Sequence, residues 1–328
     1  MKIIVDAFGG DHAPLEILRG CELAVARHKV DILLCGSEAE IKKIAAENKI
    51  KLTGMDILDA PDVISMDDHP TALMKEKKDS SMAVAMRALK DGLGDALVGA
   101  GSTGAMLTGA TLIVGRIKGV KRPALAPCMP KETGMFMLID CGANADCRPE
   151  MLVQFAKMGS IYMENVMGID NPRVGLANVG TEDTKGDALR VETFPLLKES
   201  GLHFVGNIEA RDIPFNAADV VVADGFTGNI ILKLYEGTGM ALMDRIKGVM
   251  MSKGKNKLAA AVLKKDMKKM AKSIDPNEYG GAPFLGVNKP VFKAHGSSKA
   301  GTFCNAIGQA AEYARADVVG KISELIQN

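Results

Sequence analysis

Asp95-Ala-Leu-Val-Gly-Ala-Gly-Ser-Thr-Gly104 runs from a short apolar strand into a glycine turn and on into a helix start. Gly99-Ala-Gly101-Ser-Thr-Gly104 matches G-x-G-x-x-G after the strand Asp95–Val98, the unit from which parallel sheets with crossover helices are built. A dinucleotide fingerprint also needs an acid about twenty residues further on, to hold a ribose hydroxyl. From Ala105 to Lys131 there is no Asp or Glu. The redox reading therefore lacks its second half. What remains is anion binding, because glycines admit a close ligand and free N–H groups at a helix start favour negative charge. Ser102 and Thr103 add hydroxyl donors. Ala100 stands where a G-x-S-x-G nucleophile elbow requires glycine, so Ser102 is not read as a nucleophile.

The same strand-then-helix rhythm extends in both directions. Strands are expected at Lys2–Val5, Val30–Leu34, Met55–Leu58, Met135–Ile139, Arg173–Asn178, His203–Val205 and Asp219–Ala223. Amphipathic helices are expected at Leu15–His28, Glu38–Asn48, Ser81–Asp91, Pro149–Val166 and Asp187–Ser200. The expected fold is α/β, with a doubly wound, mostly parallel sheet. Pro127–Pro130 with Lys131-Glu-Thr-Gly134 reads as a turn that inserts an antiparallel pair. Residues 96–115 carry no charge, but five glycines and four Ser/Thr residues favour a strand, loop and buried helix over a membrane span.

The 328 residues suffice for one large α/β unit, and residues 1–328 are read as a single catalytic unit. A formal net charge of +1 excludes a globally basic nucleic-acid binder. Six scattered cysteines form no CxxC pair and no metal-ligand spacing, which suits a reduced cytosolic protein. Asp67-Asp68-His69 is not read as a metal site, since adjacent residues on a loop seldom converge on one ion. Neither a metal nor a cofactor is expected.

From about 237 to 275 the strand signal stops. Two long helices joined near Ser252–Asn256 are expected there as a protrusion. The second carries Ala259, Leu263, Met267, Met270 and Ile274 along one stripe, with Lys257, Lys264, Lys265, Lys268, Lys269 and Lys272 mainly elsewhere. It reads either as a solvated helix or dimer arm, or as a surface for an acidic partner or anionic membrane.

Three more Gly/Asn loops follow strands: Asp140-Cys-Gly-Ala-Asn144, Asn178-Val-Gly180 leading to Thr184-Lys185-Gly186, and Asp224-Gly-Phe-Thr-Gly-Asn229. Ala294-His295-Gly-Ser297-Ser298 adds an imidazole and two hydroxyls before a helix. In an open parallel sheet such loops gather at the carboxyl ends of the strands, where ligands bind.

Gly101–Gly104, Asp140–Pro149, Asp219–Lys233 and Ala294–Ser298, with Val5–Pro14, Lys77–Met82, Phe155–Ser160, Phe204–Arg211 and Tyr279–Pro283, resemble the PlsX-type phosphate acyltransferase family from end to end. Phe8 and Ala100 are small departures from the family pattern. The resemblance implies transfer of a long-chain acyl group from acyl carrier protein to inorganic phosphate. The acyl phosphate would then be used by a membrane glycerol-3-phosphate acyltransferase in phospholipid synthesis. It also implies a homodimer, and an α/β/α sandwich similar to isocitrate/isopropylmalate dehydrogenases and phosphotransacetylases.

On that footing, Gly101, Ser102, Thr103, Gly104, Ser297 and Ser298 are candidates to hold phosphate. Lys185 is the candidate to neutralise it, Asn144 and Asn229 to donate to the oxyanion, and His295 to act as acid–base or donor. Lys257, Leu263, Lys264, Lys265, Met267, Lys268 and Lys269 are the candidate partner or membrane surface. A cytoplasmic protein touching the inner face of the membrane is expected. A phosphotransacetylase-like enzyme acting on acyl-CoA, and a non-catalytic scaffold that binds carrier protein and membrane, remain the alternatives.

Overall fold

The computed structural model describes residues 1–273 and 280–327; the side chains of residues 259, 268, 269 and 271–273 also lie outside the described set. The strands are β1 (Lys2–Asp6), β2 (Asp31–Gly36), β3 (Met55–Asp59), β4 (Ala96–Gly99), β5 (Ala124–Leu125), β6 (Cys128–Pro130), β7 (Met135–Ile139), β8 (Val174–Asn178), β9 (Phe204–Glu209), β10 (Val220–Val222), β11 (Ala282–Leu285) and β12 (Val291–Lys293). The helices are α1 (Leu15–His28), α2 (Glu38–Glu47), α3 (Ser81–Lys90), α4 (Thr103–Gly109), α5 (Pro149–Asn165), α6 (Ala188–Lys198), α7 (Gly225–Met251), α8 (Gly254–Ser273), α9 (Ala300–Arg315) and α10 (Val318–Gln327).

The strands form two mostly parallel sheets, ordered β3-β2-β1-β4-β12-β11-β5 and β6-β7-β10-β8-β9. Strands covered on both faces read as unbroken apolar runs, and β1 (KIIVD), β7 (MFMLI) and β10 (VVV) do so. One stretch of chain, residues 124–130, joins the sheets. Its first end pairs antiparallel with β11 and its second with β7. Leu138 N–H donates to Pro127 O and Cys141 N–H to Leu125 O, each at 3.0 Å, so the ladder hardly breaks between sheets. This is the antiparallel insertion that Pro127–Gly134 suggested. β11 and β12, in contrast, were not expected. They are four and three residues long, too short to show a period.

The helix that runs into the expected protrusion starts before it. Asp224 caps α7, with Oδ1 accepting from Thr227 N–H at 2.9 Å, so the helix begins at Gly225 rather than near 237. The segment Asp224–Asn229, expected as a loop, is therefore a cap and the first turns of a helix. Only Gly225 and Gly228 of α7 are buried. α7 and α8 line an open groove of about 770 Å³ whose α8 side carries Lys257, Ala260, Ala261, Lys264 and Met267. Of the expected apolar stripe, Met267 lies on this side. Leu263 is 44% exposed, and Leu258 and Val262 are 73% and 80% exposed. Lys265 is exposed. The side chains of Lys268 and Lys269, and Ile274 altogether, lie outside the described residues. Among the described residues no helix is long and apolar enough to cross a membrane.

Candidate active site

Two groups of loops meet at the carboxyl ends of the strands. In the first, residues 9–11, 99–104 and 294–298 are bound to each other through the main chain. Asp11 N–H donates to Gly296 O and Ala294 N–H to Gly99 O, both at 2.8 Å. The approach demands glycine at position 9, where a Cβ would lie 2.7 Å from Gly101 N, whereas one on Gly101 would meet the flexible end of Met82 at 2.5 Å. Beneath them the Asp6 carboxylate is buried, accepting from Ser81 Oγ at 2.6 Å and Phe8 N–H at 3.3 Å. Burial raises its pKa, opposed by these hydrogen bonds.

The Gly101–Gly104 turn ends in Ser102, which caps α4 by accepting from Ala105 N–H at 3.5 Å. Ser298 is buried, and among the described residues its hydroxyl meets no hydrogen-bond partner. His295 is the better constrained group. Its Nδ1 accepts from Ser297 N–H at 3.3 Å and lies 2.8 Å from Ser297 Oγ. Accepting at Nδ1 places the proton of a neutral ring on Nε2. Burial, assisted by the charge of Lys233, lowers the His295 pKa and favours that neutral form.

The second group is built around Asp140, which is fully buried at the end of β7. Its Oδ1 accepts from Leu125 N–H at 2.8 Å and Ala143 N–H at 3.3 Å. Its Oδ2 accepts from the Asn144 main chain at 2.6 Å and side chain at 3.0 Å. Burial pushes its pKa up to about 6 despite these donors. The second amide proton of Asn144 goes to Pro123 O at 2.7 Å, and its own carbonyl receives Gly225 N–H at 2.7 Å. Both side-chain protons of Asn144 are thus taken by Pro123 and Asp140, while its main-chain oxygen ties the loop to α7. Asn229, on the second turn of α7, is exposed, and its Cγ lies 3.7 Å from where a Cβ would stand on Gly142.

Arg190, on α6, braces the same corner. It donates to Thr227 Oγ1 and Asp187 Oδ2, both at 2.9 Å, and to Asp224 Oδ2. Lys185 stands on the neighbouring loop, exposed, with Glu182 at 4.0 Å and its stem over Gly180.

Lys233 and Glu236 link the two groups. They form a 3.0 Å ion pair on α7, and their charges act both on His295 in the first group and on Cys141 in the second. Ser102, Thr103, Ser297, Ser298 and His295 therefore share one set of loops, and Asn144, with Asn229 at the start of α7, the other. Cys141 is buried and its thiol is raised well above the usual range by burial, so it is no nucleophile at neutral pH.

Sequence reasoning passed over Arg190 and Lys293. Lys293 is the one charge in the apolar run Val291–Ala294, directly before His295, and that position was its only signal. Arg190 is one of several charges on an amphipathic helix, and nothing in its spacing sets it apart.

A family model described as "Fatty acid synthesis protein" matches residues 1–321. The phosphate acyltransferase of Clostridium novyi is 48% identical over 332 residues, covering 100% of this chain and 99% of that protein. That of Listeria welshimeri is 48% identical over 325 residues, covering 98% and 95%. Among solved structures, a phosphotransacetylase from Streptococcus pyogenes matches with a TM-score of 0.67 at 17% identity, over 96% of this chain and 94% of that one. A 4-hydroxythreonine-4-phosphate dehydrogenase from Klebsiella pneumoniae matches with a TM-score of 0.56 at 13% identity, over 96% and 98%. Identities this low establish likeness of fold, and here the fold is one shared by transacylases and dehydrogenases alike. The sequence match over nearly the whole length goes further: the chain belongs to the fatty acid synthesis protein family, among relatives named phosphate acyltransferase, and is an acyltransferase.

Proposed function

We propose that this protein transfers a long-chain acyl group from acyl carrier protein to inorganic phosphate, releasing acyl phosphate. The observation that carries the reading is the interlocking of three loops, bearing hydroxyls and main-chain donors, at the carboxyl ends of β1, β4 and β12, together with a Cys141 thiol that burial keeps protonated. In this reading a phosphate oxygen attacks the thioester carbonyl carbon directly. The carbon–oxygen bond forms, the carbonyl electrons move to an oxyanion, and collapse expels the carrier's thiolate, which takes up a proton. Holding two reactants together supplies much of such an acceleration, and donors aimed at the oxyanion supply more.

Gly101, Ser102, Thr103, Gly104, Ser297 and Ser298 hold phosphate. Lys185 on its mobile stem neutralises charge at the mouth. Asn229 is the free amide donor, while Asn144 acts through the loop it anchors. His295 Nε2–H donates to phosphate or to the departing sulfur.

The exposed Leu258 and Val262, and the lysines beside them, favour a large acidic carrier with a lipid chain over a short acyl-CoA. The same surface suits contact with the inner face of an anionic membrane, where a membrane glycerol-3-phosphate acyltransferase would consume the product. We further propose a homodimer of one catalytic unit per chain, with 237–275 as its protrusion.

Purified protein, phosphate and either acyl-carrier protein or acyl-CoA, with hydroxylamine trapping of acyl phosphate, tests the reaction. Faster turnover with short acyl-CoA would shift the reading to a phosphotransacetylase-like enzyme. Carrier or liposome binding without phosphate-dependent thioester loss would leave a scaffold. Full turnover in a Lys185→Ala, His295→Ala double variant would remove these two residues from the mechanism.

A further inference from the structure

Lys293 ends β12, in register with Gly99 of β4. The two residues before it, Val291 and Phe292, are fully buried. An ammonium at the end of such a strand has little water to solvate it, and an unpaired buried charge is costly. The usual remedy is a carboxylate in contact. Among the described residues no carboxylate lies within 4.0 Å of Lys293 Nζ: every ion pair found there involves other cations. Its partners are two main-chain oxygens instead. It donates to Ala294 O at 2.5 Å and to Ala100 O at 3.3 Å. One oxygen belongs to the glycine loop after β4 and the other to the loop that carries His295, Ser297 and Ser298.

The charges around it are accounted for on each side. Asp11 and Asp6 act on it attractively from the loop after β1 and from β1, and Lys233 repulsively from α7. Asp6 is a weak counter-charge, being engaged by Ser81 and Phe8 and raised in pKa by its own burial. Burial brings the Lys293 pKa down to about 8, the sign of a cation without adequate compensation. A lysine has three N–H donors, and carbonyls take two. A dianion resting between the two loops would satisfy both deficits at once.

We propose that Lys293 is the phosphate-positioning cation of this site, tying the Ala100 and Ala294 loops together and supplying the fixed positive charge that a bound dianion requires. This rests on the phosphate reading given above and assigns its charge compensation to a half-buried residue held by two main-chain oxygens, leaving Lys185 as an exposed one. A surface lysine can be replaced by its neighbours or by salt, whereas Lys293 has no substitute among the described residues of its loops.

The test measures binding of inorganic phosphate, and of sulfate as a probe that does not titrate near neutrality, by calorimetry. It uses the full-length wild type, Lys293→Met and Lys293→Arg, with steady-state constants for phosphate and acyl thioester alongside. Lys293→Met is expected to weaken both anions at least about tenfold, the usual scale for losing a charged hydrogen bond, and to raise KM for phosphate more than that for the thioester. Lys293→Arg is expected to recover part of the loss. Wild-type sulfate affinity is expected to fall as pH rises through about 8, as the ammonium deprotonates, and this fall is expected to be absent in Lys293→Arg.

Unchanged anion affinity in a folded Lys293→Met variant would overturn the proposal. So would a wild type that binds neither anion, or an identical alkaline decline in Lys293→Arg. Should Lys293→Met not fold, the comparison of Lys293→Arg with wild type across pH decides. A wild type that binds phosphate through Lys293 yet shows no phosphate-dependent thioester loss would refute the acyl-transfer reading and leave this inference standing.

Discussion

Gly228→Ala and Gly237→Ala place the same methyl group on the same helix, and the structure gives them opposite outcomes. A Cβ on Gly228 would lie 1.9 Å from Asp140 O and 3.0 Å from Asp140 C, both main-chain atoms. The helix or the loop must retreat by about 1 Å to restore a tolerable contact, and neither has a flexible end that can turn aside. Overpacking of this kind costs about 1–3 kcal/mol, against which alanine's better helix propensity returns about 1 kcal/mol. The net expectation is a loss of up to about 2 kcal/mol.

The displacement also separates Asn229 from the loop that Asp140 organises, and misplacement by about 1 Å costs on the order of 100-fold in rate. Gly237 has nothing within 4 Å of its would-be Cβ, so there the propensity term stands alone and Gly237→Ala should gain about 1 kcal/mol. Denaturant unfolding at matched protein concentration and hydroxamate-trapped acyl transfer read both effects. If Gly228→Ala kept wild-type stability and turnover, the close seating of α7 on the Asp140 loop would be wrong. If Gly237→Ala destabilised, that position would be packed against something the single chain does not contain.

Asp219 lies between Lys131 and Arg173, at 2.6 and 3.0 Å, with the Lys131 side chain only 3% exposed. Asp219→Ala strands that ammonium and should cost about 3–5 kcal/mol in urea unfolding. Burial alone would raise the Asp219 pKa, but hydrogen bonds from Arg173 and Lys131 bring it down to about 2. Its stabilisation is present above the unfolded value near 3.8 and lost as pH falls from there through about 2, so acid unfolding in Asp219→Ala should lose that part of its pH dependence. Asp140 has the opposite sign. Its folded pKa of about 6 means that ionisation opposes folding, so stability from this group falls as pH rises from about 4 through 6, and Asp140→Asn should flatten that slope in a pH series of melting curves. Cys141→Ala should leave acyl transfer within about twofold of wild type if phosphate attacks directly, and abolition of turnover in a folded variant would indicate a covalent intermediate.

The α/β class was legible in the chain because both of its signals are local. Apolar runs such as Lys2–Val5 and Met135–Ile139 ended in glycine or acid, and Leu15–His28 carried a helical period, so each element could be read within its own window. The acid-free stretch behind Gly101–Gly104 was equally a matter of counting, and it weighed against a dinucleotide site without coordinates. The division into two sheets was not legible, nor were β11 and β12, because three or four residues show no period and their pairing with β4 and β5 spans more than 150 positions. The same distance hid Lys293. In the sequence it is one of many lysines; in the fold its ammonium is half-buried against Ala100 O, 193 positions away, and among the described residues no carboxylate contacts it. Composition shows which residues can carry charge. Long-range packing sets which of them is desolvated.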